Sequence, residues 1–348
     1  MNQAWQDFLV QQGARINEGC VLDFGELDAE LMAAREGTVR CDLSQFGIIR
    51  VNGEEAKQFL QNLLSNDISA VNASTAQLSS FNTAKGRMLA TFLIWQQHGD
   101  YMLQLPRPLV AAMQKKLSMY VLRAKVKVSD ASDDMVCLGI SGPEASILLQ
   151  QQLGISLPQP YAVLSQQDLT VIGISPTRYL CCTPAEHAPA LWNALATTAM
   201  ATGSPGWDWL NINEGIPVVS AATQEQFVLQ MANLDLLNGV SFKKGCYPGQ
   251  EIVARTHYLG KQKRRMYLAH VTSAEPPKAG DELFSDSMAG QACGMVMNAG
   301  KAPGGGYDLL AVLQINSHTA NDVHLQTATG EQLQFRPLPY HIPAEESK

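Results

Sequence analysis

Short apolar runs alternate with amphipathic segments over about the first 130 residues. Ile48–Val51 is a short β-branched run that predicts a strand, and from Glu54 to Leu64 the apolar positions recur on one helical face. Further predicted elements are strands at Gln77–Phe81, Met88–Trp95 and Tyr101–Leu105, and a helix at Leu109–Tyr120. Because this pattern lacks the regular strand–helix repeat of a doubly wound sheet, it predicts an α+β domain.

Two other patterns follow along the chain. The region from Val136 to Ala201 predicts a small ferredoxin-like unit of alternating strands and helices. Its predicted elements are strands at Val136–Ile140, Thr170–Gly173 and Arg178–Cys182, and helices at Pro143–Leu153 and Glu186–Ala201. From Met266 onward, short strands separated by glycine and proline turns predict an all-β barrel. The predicted domains are 1–130 continued by 203–258, then 131–202, then 259–343.

The composition indicates a folded protein that does not bind nucleic acid indiscriminately. A chain of 348 residues with 46% hydrophobic and 16% charged residues predicts two or three folded domains rather than a disordered chain. The formal net charge of −7 argues against indiscriminate binding to nucleic acid, which requires clustered cations.

Cysteine usage and the apolar runs indicate the compartment. The seven cysteines show no C-x-x-C pair, which favours a reducing cytosol and predicts neither a disulfide framework nor a permanent metal site. The first residues lack the basic start and apolar core of a signal peptide, and no run is apolar enough to span a bilayer. A cytoplasmic protein without membrane contact is expected.

The densest chemistry lies in Ser241–Thr256. Gly245 and Gly249 can adopt a positive φ, which predicts a tight loop before a helix that starts at Gln250. Lys243 and Lys244 precede Cys246 in this loop, and cations together with a helix N-terminus favour the reactive thiolate. The alternative interpretation of Cys246 is a small buried hydrophobic side chain.

Two more segments carry candidate binding residues. In the loop Phe81–Arg87, the cations could hold an anion, although a hairpin with a polar tip is the simpler interpretation. Trp207 and Trp209 flank an aspartate, and Trp209 is expected in the hydrophobic core. Trp207 has two interpretations: a buried core residue, or a flat aromatic surface on which a planar ligand stacks.

The basic cluster Lys261–Arg265 has two interpretations. It predicts a solvated strand edge or, together with Lys243, Lys244 and Arg255, a path for a polyglutamate tail or an RNA backbone. Neither interleaved aromatic residues nor an RNA-binding signature supports the RNA interpretation.

The run from Lys243 to Arg255 resembles the signature of the YgfZ-type tRNA-modifying, folate-binding proteins, relatives of aminomethyltransferase, the T protein of glycine cleavage. The resemblance extends over most of the chain from about Cys41. It implies an aminomethyltransferase-like folate-binding fold with a ferredoxin-like insert and a C-terminal β-barrel. It also implies bound folate, as tetrahydrofolate or a derivative. The expected role is to support tRNA methylthiolation and iron–sulfur enzymes.

The same resemblance assigns the site residues. It implies folate contacts from Trp207 and Phe46, further binding residues at Asn82, Arg87 and Asn213, and a working thiol at Cys246 assisted by Lys244. Cys246 is expected at the opening of the cavity that Trp207 borders. The residues expected to shape the loop around Cys246 are Gly245, Gly249, Gln250, Glu251 and Arg255.

Three functions are therefore weighed. The first is a folate-dependent accessory protein, with the cysteine acting in thiol exchange or as a transient ligand. The second is a folate-dependent aminomethyltransferase or demethylase; the relatives use an aspartate near Asn82 and a glutamate where this chain has Asn213, so the sequence favours the accessory role. The third is a non-catalytic module that docks on tRNA or a protein.

Overall fold

The computed structural model describes residues 1–154, 157–258, 260, 262–288 and 290–343, which fall into two compact units. The first unit comprises Met1–Phe59, Ser69–Gln77 and Leu93–Leu210. The second comprises Leu60–Ile68, Leu78–Phe92 and the chain from Asn211 onward. Within these described ranges, no helix combines the length and the apolar character needed to cross a bilayer.

The helices follow the predicted amphipathic segments. In chain order they are α1 Gln3–Gln11, α2 Leu27–Glu36, α3 Ala56–Leu63, α4 Val110–Ser118, α5 Ala145–Leu153, α6 Ala188–Leu195, α7 Ser204–Asn213, α8 Gln250–Tyr258 and α9 Ile315–Ala320. Helix α8 begins at Gln250, as the turn residues before it predict.

The strands are short, and most pair antiparallel. In chain order they are β1 Arg15–Asn17, β2 Cys20–Asp23, β3 Val39–Asp42, β4 Phe46–Asn52, β5 Gln77–Asn82, β6 Met88–Gln97, β7 Asp100–Pro106, β8 Lys127–Asp130, β9 Met135–Ser141, β10 Val163–Gln166, β11 Leu169–Ser175, β12 Arg178–Pro184, β13 Met200–Thr202, β14 Arg264–Val271, β15 Glu282–Ser285, β16 Ala292–Lys301, β17 Tyr307–Gln314, β18 Val323–Leu325 and β19 Gln334–Arg336.

The main sheet of the first unit has the strand order β10-β11-β12-β9-β3-β13. Its neighbours pair antiparallel except β13, which runs parallel to β3. The succession β9-α5-β11-β12-α6-β13 is the ferredoxin-like β-α-β-β-α-β arrangement. Strand β3 is inserted between its first and last strands. A segment from the start of the chain thus completes the predicted ferredoxin-like sheet.

The two faces of this sheet differ. Because successive side chains of a strand point to opposite faces, Val136, Leu138 and Ile140 lie on one face and Cys137 and Gly139 on the other. The first face packs in a core with buried residues of α1, α5 and α6, including Trp5, Leu9, Leu148, Leu149, Leu191 and Trp192. The second face carries part of the candidate site.

The first unit also contains a smaller antiparallel group of strands. Strand β4 pairs with β7 on one side and with β8 on the other, and the end of β6 pairs with β7. The apolar side of α4 buries Val110, Met113 and Leu117. This group holds Phe46 at the start of β4.

The second unit ends in a curled antiparallel half-barrel with the strand order β18-β15-β16-β17-β14-β19. Its last segment joins both edges. Leu333 donates a backbone hydrogen bond to Val323 in β18, and Phe335 in β19 pairs with Ala269 in β14. The alternating inward residues of β14 and β17 are buried. The predicted α+β fold with a ferredoxin-like sheet and a C-terminal β-barrel is therefore confirmed, the barrel being a curled half-barrel, whereas the three predicted domain boundaries stay predictions.

One predicted helix is too long. The sequence predicts a helix over Glu186–Ala201, but α6 ends at Leu195 and Met200–Thr202 forms β13. Pairing with Val39–Cys41 satisfies the backbone of this segment and overrides its local helical pattern. Helix α7 then begins at Ser204, directly after β13.

Candidate functional site

Trp207 lies on the second face of the main sheet of the first unit. Helix α7 presents the indole to Gly139, where a side-chain Cβ would overlap the indole carbons Cζ3 and Cε3. Glycine is therefore required at this position for the ring to approach the strand. The indole is 4% exposed, and Trp209, two residues further, is also buried, as the sequence predicts for that residue.

Arg178 covers the Trp207 ring. Its guanidinium carbon lies 4.1 Å from the ring centroid, in the geometry of a cation–π contact. Arg178 is buried, and it projects from β12, next to β9, which carries Gly139. Neither Arg178 nor Gly139 was singled out from the sequence, because the contact joins residues far apart in the chain and leaves no local signal.

Asp208 connects the surroundings of Trp207 to those of Phe46. Gln45, the residue before Phe46, donates a long hydrogen bond of 3.5 Å to the Asp208 carboxylate. Burial raises the pKa of Asp208 to about 6, against the lowering effects of Gln45 and Arg178. Phe46 is half-buried and lines a small cavity with Trp5 and other residues. The two predicted folate-contacting aromatics are thus linked through their sequence neighbours.

We name the group Gln45, Phe46, Gly139, Arg178, Trp207 and Asp208 the indole site. The half-buried carboxyl of Asp208, whose pKa burial raises, is an acceptor for a ligand that carries hydrogen-bond donors, whereas the indole of Trp207 is almost fully buried. The guanidinium on the indole takes up room on the stacking surface. Stacking of folate on Trp207 stays a prediction, because the guanidinium of Arg178 already covers the ring.

The second unit holds Cys246, in the segment 241–249 that we name the thiol loop. Cys246 is exposed, so the interpretation of a buried hydrophobic side chain is wrong. Its neighbours Lys244 and Tyr247 are both buried. The loop therefore presents Gly245 and the Cys246 sulfur to solvent between two packed side chains, those of Lys244 and Tyr247.

Lys244 anchors the thiol loop. Its ammonium donates hydrogen bonds to the backbone carbonyls of Gln61 (2.6 Å), Leu64 and Asn66 (3.1 Å). These carbonyls lie at and just beyond the C-terminal end of α3, where backbone acceptors lack helical partners and a cation is favourable. Burial lowers the pKa of Lys244 to about 8, although nearby Asp67 raises it. The ammonium protons thus have carbonyl partners, and the expected assistance to the thiolate stays a prediction.

Gly249 fixes the other end of the loop. Its φ is +81°, and an added Cβ would overlap Gly86 Cα and lie 2.5 Å from the Thr83 carbonyl oxygen. The thiol loop therefore packs directly on the hairpin between β5 and β6. Gly245 differs, because it has no positive φ and a Cβ there would meet no atom within 4 Å among the described residues.

The predicted anion loop is occupied by internal contacts. The Arg87 guanidinium donates to the carbonyls of Glu225 (3.1 Å) and Gln226 (2.6 Å). The buried Asn82 accepts a hydrogen bond from Ser80, and among the described residues its Nδ2 has no hydrogen-bond partner. Arg87 thus holds the backbone, whereas Asn82 retains a donor for a ligand.

Asn213 meets a carboxylate. Its Nδ2 lies 3.4 Å from Asp308 Oδ2. The Asp308 carboxylate is buried and also contacts His270 Nδ1 at 2.8 Å and an Arg336 guanidinium nitrogen at 2.5 Å. An acid from a distant strand therefore lies beside Asn213. Asp308 was not identified from the sequence, because it comes from β17, far along the chain.

The remaining candidates lie on α8 and at the basic cluster. Gln250 Nε2 is 3.4 Å from the Lys244 carbonyl, whereas Glu251 and Arg255 are exposed. Lys261 lies outside the described residues. Arg265 pairs with Asp235 at 2.7 Å and binds the Gln230 carbonyl at 2.8 Å, so its charge is partly neutralised.

The candidate residues divide between the two units. Phe46 and Trp207 belong to the first, and Cys246 with the other predicted residues belongs to the second. The single cavity expected to hold Cys246 and Trp207 stays a prediction. Among the described residues, no cluster of three His, Cys, Asp or Glu side chains is arranged to hold a metal ion.

Comparison with known proteins gives concordant matches. A family model, the GCVT N-terminal domain, matches residues 23–237, more than half of the chain. The tRNA-modifying protein YgfZ of Sodalis glossinidius is 33% identical over 309 residues, covering 86% of this chain and 92% of that protein. YgfZ of Klebsiella pneumoniae is 29% identical over 306 residues, with the same coverage.

A solved structure supports the same fold. Glycine cleavage system aminomethyltransferase T from Bartonella henselae matches with a TM-score of 0.79 over 97% of each chain, at 18% sequence identity. At this identity the likeness establishes the fold alone.

Proposed function

The chain belongs to the family of YgfZ tRNA-modifying proteins and carries the family's GCVT folate-binding-type domain, and from this premise we propose that it is a folate-binding accessory protein. Its role is to support tRNA methylthiolation and the assembly or repair of iron–sulfur enzymes in the cytoplasm. Cys246 is the working thiol, and the enzymes that carry out methylthiolation are the protein partners.

The observation that carries this proposal is the exposed sulfur on an anchored loop. Lys244 ties the loop to three carbonyls, and Gly249 seats it on the β5–β6 hairpin. An exposed cysteine on a loop that Lys244 and Tyr247 anchor is suited to reach a partner's sulfur or metal, because only a thiol with access reacts. Lys244 contributes by fixing the loop rather than by touching the partner.

Folate binding is assigned to the indole site. Trp207 and Phe46 provide apolar surface for the pterin, and Asp208 accepts hydrogen bonds from its donor edge. Asn82 and Asn213, which belong to the second unit, stay further candidates for binding, and Arg87 acts there by holding the Glu225 carbonyl. When bound, a reduced folate supplies or accepts a one-carbon group; the chain's residues bind and orient it.

The transferase alternative depends on an acid at Asn82. The hydrogen bond that Asn82 makes is with the Ser80 hydroxyl, which cannot hold the ammonium of an aminomethyl substrate as a carboxylate does. The transferase alternative would need another acid, and Asp308 beside Asn213 is the candidate. The docking-module alternative depends on Lys263 and Arg264, because Arg265 is paired with Asp235.

Genetic complementation tests the thiol. In a strain that lacks the protein, Cys246→Ser should fail to restore methylthiolated tRNA, measured by mass spectrometry of digested tRNA. The matched control is Cys20→Ser, which replaces a half-buried cysteine outside the thiol loop and should restore methylthiolated tRNA. Both variants should retain the wild-type circular dichroism spectrum. Normal methylthiolation with Cys246→Ser would remove the thiol from the proposal.

Folate titration tests the indole site. Tetrahydrofolate should quench tryptophan fluorescence of the wild type, and most of this quenching should be lost in Trp207→Phe but retained in the matched Trp209→Phe. Calorimetric titration of Asp208→Asn should show weaker binding, because the amide loses the charged acceptor. Equal quenching in both tryptophan variants would move the folate away from Trp207. Absence of binding to the wild type would favour the docking module.

A further inference from the structure

Two cysteines of the first unit face each other across neighbouring strands. Cys137 in β9 is the direct partner of Cys182 in the antiparallel β12. Their sulfur atoms lie 2.9 Å apart. The adjacent Cys181 points to the opposite face of the sheet, where it belongs to the core with Val136 and Leu138. The contact therefore selects one pair among three neighbouring cysteines.

The backbone register makes this pair suitable for a disulfide. The Leu43 N–H donates to the Cys137 carbonyl, so the backbone polar groups of Cys137 point toward the β3 side, away from β12. Cys137 and Cys182 are consequently a non-hydrogen-bonded antiparallel pair, in which Cα atoms lie about 4.5 Å apart. Disulfides span Cα separations of roughly 4.4–6.8 Å, so the bond needs little strand movement.

The two thiols differ in access. Cys182 is fully buried, whereas Cys137 is half-buried and lines the cavity that Phe46 and Trp5 also border. The cavity volume of about 20 Å³ admits a molecule of water's size. A small oxidant can therefore reach Cys137, and Cys182 is shielded.

We propose that Cys137 and Cys182 form a dithiol that small hydroperoxides convert reversibly to a disulfide. The Cys137 thiolate attacks hydrogen peroxide and breaks its O–O bond, which gives the Cys137 sulfenic acid and a hydroxide that takes up a proton as water. The Cys182 sulfur then attacks the sulfenic sulfur; water leaves with the Cys182 proton, and the S–S bond forms. Two thiols lose two electrons, and one peroxide becomes two waters.

The surroundings favour this order of events. Burial raises the pKa of the Cys182 thiol well above its ordinary value, so the more accessible Cys137 reacts first and Cys182 resolves. Cys137 shares its sheet face with Gly139, the residue that seats Trp207. The dithiol therefore lies one same-face position from the indole site. Its oxidation is independent of the folate and tRNA roles proposed above.

Mass spectrometry of the full-length protein tests the pair. The reduced protein is exposed to hydrogen peroxide, quenched in acid, unfolded, alkylated and digested without reduction. The expected product is a linked pair of peptides that contain Cys137 and Cys182, two hydrogens lighter than their sum. Dithiothreitol should restore alkylation of both cysteines.

Two variants make the test specific. In Cys137→Ser, the same peroxide exposure should leave Cys182 fully alkylatable, because no sulfenic acid forms beside it. In the matched Cys20→Ser, which removes another half-buried thiol of the first unit, the 137–182 link should persist. Wild-type protein in which Cys182 stays alkylatable, or in which Cys137 links to a different cysteine, overturns the proposal.

Discussion

The indole site and the thiol loop hold their candidate groups in opposite ways. In the first unit the group itself is packed: Trp207 fills the space over Gly139 and carries Arg178 on its ring. In the second unit Cys246 is exposed, and the packing belongs to Lys244 and Tyr247 on either side. The packing of the indole therefore contributes to stability, whereas the exposed sulfur of Cys246 does not contribute to the packing of the second unit. Substitutions should separate the two cases.

The largest contrast is expected between Trp207→Ala and Cys246→Ala. Loss of the buried indole should lower the free energy of unfolding by about 3–5 kcal/mol, because it removes apolar burial and leaves a cavity. Loss of the exposed sulfur should change it by no more than about 0.5 kcal/mol. Urea unfolding of both variants measures the difference. A loss of stability in Cys246→Ala as large as that in Trp207→Ala would show that the thiol loop is packed through Cys246.

Two glycines sharpen the comparison within the thiol loop. Gly249→Ala should cost about 1–3 kcal/mol, because its φ is positive and the added Cβ meets backbone atoms of the hairpin. Gly245→Ala, with open space around its Cβ, should change the unfolding free energy by less than about 0.5 kcal/mol. Thermal unfolding of the pair distinguishes them, and an equal loss of stability would contradict the anchoring assigned to Gly249.

The Lys244 anchor predicts a pH-dependent effect. Lys244→Met should cost about 1–2 kcal/mol by leaving buried carbonyls without donors. The folded pKa of about 8 lies below the ordinary 10.5, so between these values the unfolded chain binds more protons and the Lys244 contribution to stability rises with pH. The deficit of Lys244→Met relative to wild type should widen over this window.

The matched control for this anchor is Lys243→Met, because Lys243 is exposed in the same loop. Its unfolding free energy, measured by urea titration at several pH values, should follow the wild type. A constant deficit of Lys244→Met across the window would show that the ammonium is not held at a lowered pKa.

Asp208 should give a pH-dependent effect of the opposite sign to that of Lys244. Its folded pKa of about 6 lies above the ordinary 3.8, so the folded state holds the extra proton and stability from this group falls as pH rises from about 4 to 6. Asp208→Asn should therefore gain stability over wild type at pH 7 relative to pH 4. A gain that does not depend on pH would mean that the carboxyl is not destabilised by burial.

Local signals in the sequence located much of the fold. The apolar face of Glu54–Leu64 gave α3, and the glycine and proline turn gave the start of α8. In both cases the physical cause lies within a dozen residues. The C-terminal strands were likewise marked by their own turns.

Contacts between distant segments could not be predicted. Strand β3 joins the ferredoxin-like sheet about 100 residues ahead of its partner β9, and α6 ends early because β13 pairs with β3. Arg178 over Trp207 and Asp308 beside Asn213 are contacts of the same kind. The sequence identified the thiol loop and the tryptophan, but their partners follow from tertiary packing.

The anchor of Lys244 has a consequence for biosynthesis. The carbonyls that receive its ammonium precede it by 178 to 183 residues, so the end of α3 emerges from the ribosome long before the lysine does. Domains generally fold as units during synthesis, N-terminal segments first. A nascent or truncated chain that stops short of Lys244 lacks both the exposed sulfur and the lysine that anchors its loop, so the carbonyls at the end of α3 receive their ammonium partner only late in synthesis.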